Sequence, residues 1–273
     1  MNRLLSAGIV LSGALSLSGC FHGDWHGDRV RETVDESRPL AKNGRFALEN
    51  TNGRVEVKGW DEERVSIEAT KRAGSERALE ELKVEIVGEG DSLEVRTRHP
   101  RPRFMGGGGR VDYTVRVPRT AQVSVENVNG RVEVLGVAAE VEAQTVNGSV
   151  EVRDAAGEVE ASAVNGSVQV QMARVDPSGR SRLRTTNGSV RLTLPADVSA
   201  EIDAGTVNGG VSCDFDLENE HKTRRKLEGR IGAGGAHFDL GAVNGSVSID
   251  RGLSARAEAR RPAAEATPEA EAR

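Results

Sequence analysis

A tetrapeptide of the form Asn-Gly-x-Val recurs seven times in this chain, beginning at Asn52, Asn129, Asn147, Asn165, Asn187, Asn208 and Asn244. The intervals are 77, 18, 18, 22, 21 and 36 residues, and the last is twice eighteen. A period near twenty residues marks stacked supersecondary units, each too small to bury its apolar face alone. The third residue after each Asn is always Val: Val55, Val132, Val150, Val168, Val190, Val211 and Val247. The fifth is Val57, Val134, Val152, Val170, Leu192, Cys213 or Ile249. Four and two residues before the Asn stand small or apolar residues such as Val125 and Asn127, Ala143 and Thr145, or Leu240 and Ala242, with polar residues between. Alternation with period two on both sides of a turn predicts two strands per copy, each with one inward face.

The Asn-Gly pair has a mechanical reason. Both residues tolerate positive φ, which a tight corner between strands demands. Gly53, Gly130, Gly148, Gly166, Gly188, Gly209 and Gly245 are therefore predicted corner residues, and Gly148→Val is expected to strain its unit. The core must be thin and regular, because 273 residues include only five Phe, two Trp and one Tyr, leaving Val, Ala, Ile and Leu to fill it.

Two architectures fit this pattern, an antiparallel meander of hairpins and a solenoid of stacked coils. Hairpins would set Glu126 against Glu133 and Arg184 against Arg191, like charges directly opposite. Stacking places Glu126, Gln144, Ser162 and Arg184 in one row, at the cost of Glu133 over Glu151 and Glu142 over Glu160. A Val repeated in every copy is what a ladder at about 4.8 Å per coil selects. The reading favours an all-β parallel solenoid with coils of 18–22 residues, regular over 120–251. Residues 45–119 read as an irregular β-rich part. It opens with FALENTNGRVEVKGW, contains a short helix over 75–83 capped by Ser75, and has strands at Val84 to Val87, Leu93 to Thr97 and Val111 to Val117.

The ends differ in character. Arg3, the apolar run Leu4 to Leu17 and the fragment Leu17-Ser18-Gly19-Cys20 resemble a bacterial lipoprotein signal over 1–19, which predicts acylation of Cys20 and a lipid anchor in a membrane. Phe21 after the Cys resembles the outer-membrane sorting pattern. Residues 20–44 read as a lipidated Cys and a flexible tether; His22, Asp24, His26 and Asp28 within it alternate without the fixed geometry of a metal site. Residues 252–273 read as an Ala/Glu/Arg-rich disordered tail. The formal charge of -5, with both signs interspersed, gives no field for gathering nucleic acid. With Cys20 acylated, Cys213 is the one thiol left, so no intramolecular disulfide is expected.

The segment VPRTAQVSVENVNGRVEV, the VNGSV copies and the closing EGRIGAGGAHFDLGAVNGSVSI together resemble the DUF4097 family of bacterial adhesin-like proteins, over about 45–251. The resemblance implies a β-solenoid of the cell envelope. It carries no catalytic residues over to this chain. Some relatives are associated with envelope stress.

Four groups of residues invite a chemical reading. Asp203, Asp214, Asp216, Asp239 and Asp250 could supply an acid and base only by converging in one cleft. Asp203 and Asp239 are expected two coils, about 10 Å, apart if Lys226 marks a degenerate coil between them. Cys213 fills a core slot taken elsewhere by Val, Leu or Ile and reads as an inert thiol. Gly106 to Gly109 lack the Lys of a phosphate loop and read as a connector. The break from Glu218 to Arg230 collects His221, Lys222, Arg224, Arg225 and Lys226, a candidate contact for phosphate or carboxylate groups of an envelope glycan or a protein partner. The expectation is a non-enzymatic, lipid-anchored envelope protein of structural or adhesin-like role, without cofactor or metal. An accessory role in envelope-stress sensing is the alternative, and a polysaccharide-active enzyme comes last.

Overall fold

The computed structural model describes residues 30–99 and 109–252. The chain opens with β1 (Val30–Asn52), β2 (Val55–Trp60) and β3 (Arg64–Ala73), then α1 (Glu76–Glu81), β4 (Lys83–Arg98) and β5 (Arg110–Pro118). Four strand pairs follow: β6 (Gln122–Asn129) and β7 (Val132–Leu135), β8 (Val141–Asn147) and β9 (Val150–Ala155), β10 (Val159–Asn165) and β11 (Val168–Met172), β12 (Arg180–Asn187) and β13 (Val190–Leu194). The chain then runs through β14 (Ala200–Asn208), β15 (Val211–Cys213), β16 (Glu218–Lys222), β17 (Lys226–Ile231), β18 (Ala236–Asn244) and β19 (Val247–Arg251).

Each Asn-Gly pair is the corner between two strands of one coil, and like strands stack in parallel on two walls. One wall runs β5, β2, β7, β9, β11, β13, β19, β15. The other runs β4, β1, β6, β8, β10, β12, β18, β14. The chain is thus a parallel β-solenoid, not a meander of hairpins. The described residues form eight coils and span about 34 Å at roughly 4.8 Å per coil. The inward Val rows meet as a dry spine: Val55, Val132, Val150, Val168, Val190 and Val247 are all fully buried, as are Val57, Val134, Val152, Leu192 and Ile249. The opposite wall supplies Phe46, Leu48, Val123, Val125, Leu183, Phe238 and Leu240 to the same core.

The stacking order departs from the chain order at both ends. The β1–β2 coil is second in the stack, and the chain then builds the outermost coil from β4 and β5 before passing to the third with β6. At the far end it skips from β12–β13 to the edge coil β14–β15, and β18–β19 return to fill the gap between them. The interval of 36 residues between Asn208 and Asn244 is thus an outward hairpin and a return, with no degenerate coil. Lys226 begins β17, which pairs antiparallel with β14. Residues 45–119 are correspondingly more regular than the sequence suggests, since they hold two complete coils.

The flexible tether expected over 20–44 does not hold for its described part, because residues 30–44 belong to β1. From Val30 to Pro39 the chain pairs antiparallel with β3, Val30 opposite Ala73 and Pro39 opposite Arg64. Backbone pairing holds this polar segment in the sheet although it lacks apolar periodicity. It forms an outer edge rich in charge, as does β16, and charged edges discourage further strand addition. The predicted helix is the six-residue α1: Ser75 caps it, its side chain accepting from the Ala78 N–H, and Leu79 is buried. The separate strands expected at Val84 to Val87 and Leu93 to Thr97 are one element, β4. Cys20, His22, Asp24, His26, Asp28, Gly106 to Gly108 and the tail from 253 lie outside the described residues.

The like-charge rows that stacking entails are answered by interleaved partners. Glu56, Glu133 and Glu151 lie in register. Arg131 reaches Glu133 at 3.0 Å and Glu151 at 3.9 Å, while Arg54 pairs with Glu133. Burial raises the Glu133 pKa, yet hydrogen bonds from Arg131 and Arg54 outweigh it and hold the carboxyl below the usual range. On the other wall Gln144 Nε2 donates to Glu142 at 2.7 Å, softening Glu142 over Glu160.

At each corner a second ladder forms. Thr145 donates to the Gly130 carbonyl (3.1 Å), Thr185 to Gly166 (2.7 Å) and Thr206 to Gly245 (2.7 Å), each into the adjacent coil. Ala163 occupies the same register position as Thr145 and Thr185 but has no hydroxyl to offer. Ala163→Thr is expected to supply the missing donor to the Gly148 carbonyl and to raise stability by about 0.5–1.5 kcal/mol, read as a higher urea midpoint at unchanged m-value.

Candidate functional site

The Asn side chains form a continuous amide ladder along the corner. Asn129 donates to Asn52 (2.8 Å), Asn147 to Asn129 (2.8 Å), Asn165 to Asn147 (2.9 Å), Asn187 to Asn165 (2.9 Å), Asn244 to Asn187 (2.8 Å) and Asn208 to Asn244 (2.9 Å). All seven predicted Asn corners are therefore one structure, in the spatial order 52, 129, 147, 165, 187, 244, 208. The glycines beside them are packed as tightly as the ladder requires. Gly130 has φ of 140°, and a Cβ there would overlap the Gly53 carbonyl.

Beside the ladder runs an exposed apolar ridge: Val128, Val146, Val164, Val243 and Val207 are 39%, 40%, 42%, 41% and 55% exposed. Alternation explains it. The inward position two residues before the Asn forces the residue immediately before the Asn to face solvent. Next to the ridge the outward row reads Glu49, Glu126, Gln144, Ser162, Arg184, Gly241 and Gly205 in stacking order. Ridge and row bound two depressions that share Ser162 and Val164, one of about 370 Å³ toward Glu49 and Glu126 and one of about 670 Å³ toward Arg184.

The larger depression is where the chain gathers charge around small residues. Gly241 and Gly205 leave its floor open, and Arg184 lies across Gly241 from the neighbouring strand, its Cδ 3.0 Å from where a Gly241 Cβ would stand. Arg225, on the turn between β16 and β17, and Lys226, the first residue of β17, line the depression from the other side. That turn is held by Thr223, whose hydroxyl accepts from the Arg225 N–H (3.3 Å) and the Lys226 N–H (3.0 Å). It is docked on the edge coil through Thr206 N–H to the Arg225 carbonyl (2.8 Å) and Val211 N–H to the Arg224 carbonyl (3.1 Å). Glu228 bonds Lys226, holding the ammonium pKa above and its own carboxyl pKa below their ordinary values. Arg184 pairs with Asp239, which also takes Arg182 at 3.5 Å. Three cations and a Val ridge thus surround one open basin, an arrangement suited to holding an anionic group on a partly apolar body.

The predicted basic group is therefore divided. Arg225 and Lys226 reach the basin, Arg224 contributes its carbonyl to the docked turn, and His221 and Lys222 lie outward on β16, with Lys222 3.5 Å from Glu220. Arg184 was missed as a site residue. Its row was legible, but the fold of the excursion back over that row was not.

The carboxylates do not gather as an acid and base pair. Asp203 and Asp239 are register partners on adjacent strands, one coil apart and not two, and Asp239 is engaged by Arg182 and Arg184. Asp250 lies on the other wall, 3.2 Å from Arg191, and Asp214 accepts there from the Arg251 N–H at 3.4 Å. Cys213 is half-buried in the edge coil, where burial pushes its thiol pKa up.

Among solved structures, the chain resembles a "putative cell adhesion protein" from Clostridium sporogenes, with 13% identity over 81% of this chain and 100% of that one and a TM-score of 0.46. A "putative adhesin" from Bacteroides fragilis shares 10% identity over 81% of this chain and 97% of that one, with a TM-score of 0.46. A "putative lipid binding protein" from Parabacteroides distasonis shares 12% over 83% and 98%, with a TM-score of 0.36. Comparison with curated proteins gave no match. Residues 124–250, from the third coil to the end of the strand that fills the seventh, match the Toastrack DUF4097 family model. Over those residues the chain carries a domain of the Toastrack DUF4097 type.

Proposed function

We propose that this chain is a lipid-anchored protein of the bacterial cell envelope, a non-catalytic binding scaffold at the outer membrane whose basin takes an anionic glycan. The observation that carries the reading is the convergence of Arg184 with the sequence-distant pair Arg225 and Lys226 on one open basin beside the Val ridge. Guanidinium and ammonium groups around a glycine floor suit the phosphate or carboxylate of a sugar, and the ridge suits its apolar ring face. The segment Arg3 to Cys20 supports attachment through an acylated Cys20. Ten residue steps from Cys20 to Val30 would then hold the solenoid within about 35 Å of the membrane surface.

The test is retention of the protein on an immobilised phosphorylated or uronic-acid polysaccharide against a neutral one. Arg225→Glu with Lys226→Glu is expected to reduce retention about tenfold or more, whereas His221→Glu with Lys222→Glu on the outward strand leaves it nearly unchanged. Equal retention on neutral and charged polymers, or equal loss from both pairs of variants, would remove the basin from this role.

A further inference from the structure

The seven Asn-Gly corners share a dipeptide whose chemistry is hazardous. The glycine nitrogen can attack the asparagine side-chain carbon, because glycine puts no Cβ in the way. The stack suppresses this at six corners by engaging that nitrogen: the N–H of Gly53, Gly130, Gly148, Gly166, Gly188 and Gly245 each donates to the Asn carbonyl of the next coil, at 2.8–3.0 Å. The seventh corner differs. Asn208 lies in the edge coil, so no further Asn stands beyond it, and the docked turn receives the N–H groups of Thr206 and Val211 but not that of Gly209. The Asn208 side chain is also held at one end only, donating to Asn244 at 2.9 Å while its Oδ1 has no next amide to accept from.

We propose that Asn208 is the ladder residue at which this chain deamidates spontaneously, and that the change loosens the edge coil. The Gly209 backbone nitrogen loses its proton to solvent hydroxide and bonds to Asn208 Cγ. The Cγ–Nδ2 bond breaks, Nδ2 takes up a proton and leaves as ammonia, and a cyclic imide results. Water then opens the ring at either carbonyl, giving aspartate or isoaspartate, so that one water enters and one ammonia departs. Either product replaces the Nδ2 donor by a carboxylate oxygen facing Asn244 Oδ1, acceptor against acceptor. Isoaspartate also lengthens the main chain by one methylene at a corner where Gly209 already packs against the Gly245 carbonyl.

The full chain is incubated at mildly alkaline pH, and peptide mass spectrometry follows conversion at each ladder Asn, folded and in urea. The expected result is conversion of Asn208 at least about tenfold faster than of the other six in the folded protein, with near-equal rates once unfolded. Equal rates in the folded state, faster reaction at an inner corner, or the same preference for Asn208 in urea would each overturn the proposal. Asn208→Asp provides the product directly. It is expected to reduce hydrogen-exchange protection across Ala200–Cys213 while leaving Val123–Val170 unchanged, and full protection in that variant would overturn the loosening. The Asn43–Gly44 pair lies outside the ladder, within β1, and does not enter the comparison.

Discussion

Ending the chain after Gly235 is expected to unfold more than the two strands it removes. β18 and β19 fill the slot between the sixth coil and the edge coil, and each is paired on both sides. Their loss takes Phe238, Leu240, Val247 and Ile249 from the core, all buried. At about 1.5–3 kcal/mol for each fully buried large side chain, that is roughly 6–12 kcal/mol, comparable with the whole stability of an ordinary domain. The edge coil also loses its parallel partners, because β15 pairs with β19 and the parallel neighbour of β14 is β18. Hydrogen exchange should show Ala200–Cys213 unprotected along with the deleted segment, and urea unfolding should show a much lower midpoint or no cooperative transition. Retained protection of Ala200–Cys213 would mean that the edge coil can dock directly on the sixth.

The second large effect is expected at a single methyl group. Gly130→Ala places a Cβ against the Gly53 carbonyl, whose carbon lies 2.8 Å from the added atom, at a φ of 140° that other residues avoid. Neither strand can retreat, because Gly130 also donates to the Asn147 carbonyl at 2.8 Å. A cost of about 3 kcal/mol or more is expected, measured as a fall in urea midpoint. Gly205→Ala is the internal control. Its added Cβ would find its nearest atom at 3.9 Å, so the change is expected to stay within about 0.5 kcal/mol. Equal effects from the two substitutions would show that corner packing is not what the repeated glycine serves.

The repeat was legible because it is written in the chemistry of one coil. Period-two alternation named the inward rows, and Val57, Val134 and Val152 are buried where it put them. The fate of the 77- and 36-residue intervals was not legible, since which coil lies beside which is decided by long-range pairing. Phe46 lies between Leu93 and Val123 for reasons held in neither neighbour's local pattern. The first fifteen residues of β1 gave no signal for the same reason: their order comes from pairing with β3 and β4, not from apolar periodicity of their own. Of the site, the basic residues 225 and 226 were legible as a break in the repeat. Arg184 was not, because its place in the basin depends on the turn returning across it.

The exchange of order at the far end has a mechanical side. In a plain stack the last strand can be peeled away one hydrogen bond at a time, like a zip. Here the chain departs from Arg251 on a strand gripped along both flanks, so a pull on that end must slide two rows of bonds at once. The final turn of the spring is thus locked beneath its neighbour, and tension reaches the rest of the body only after that lock is sheared.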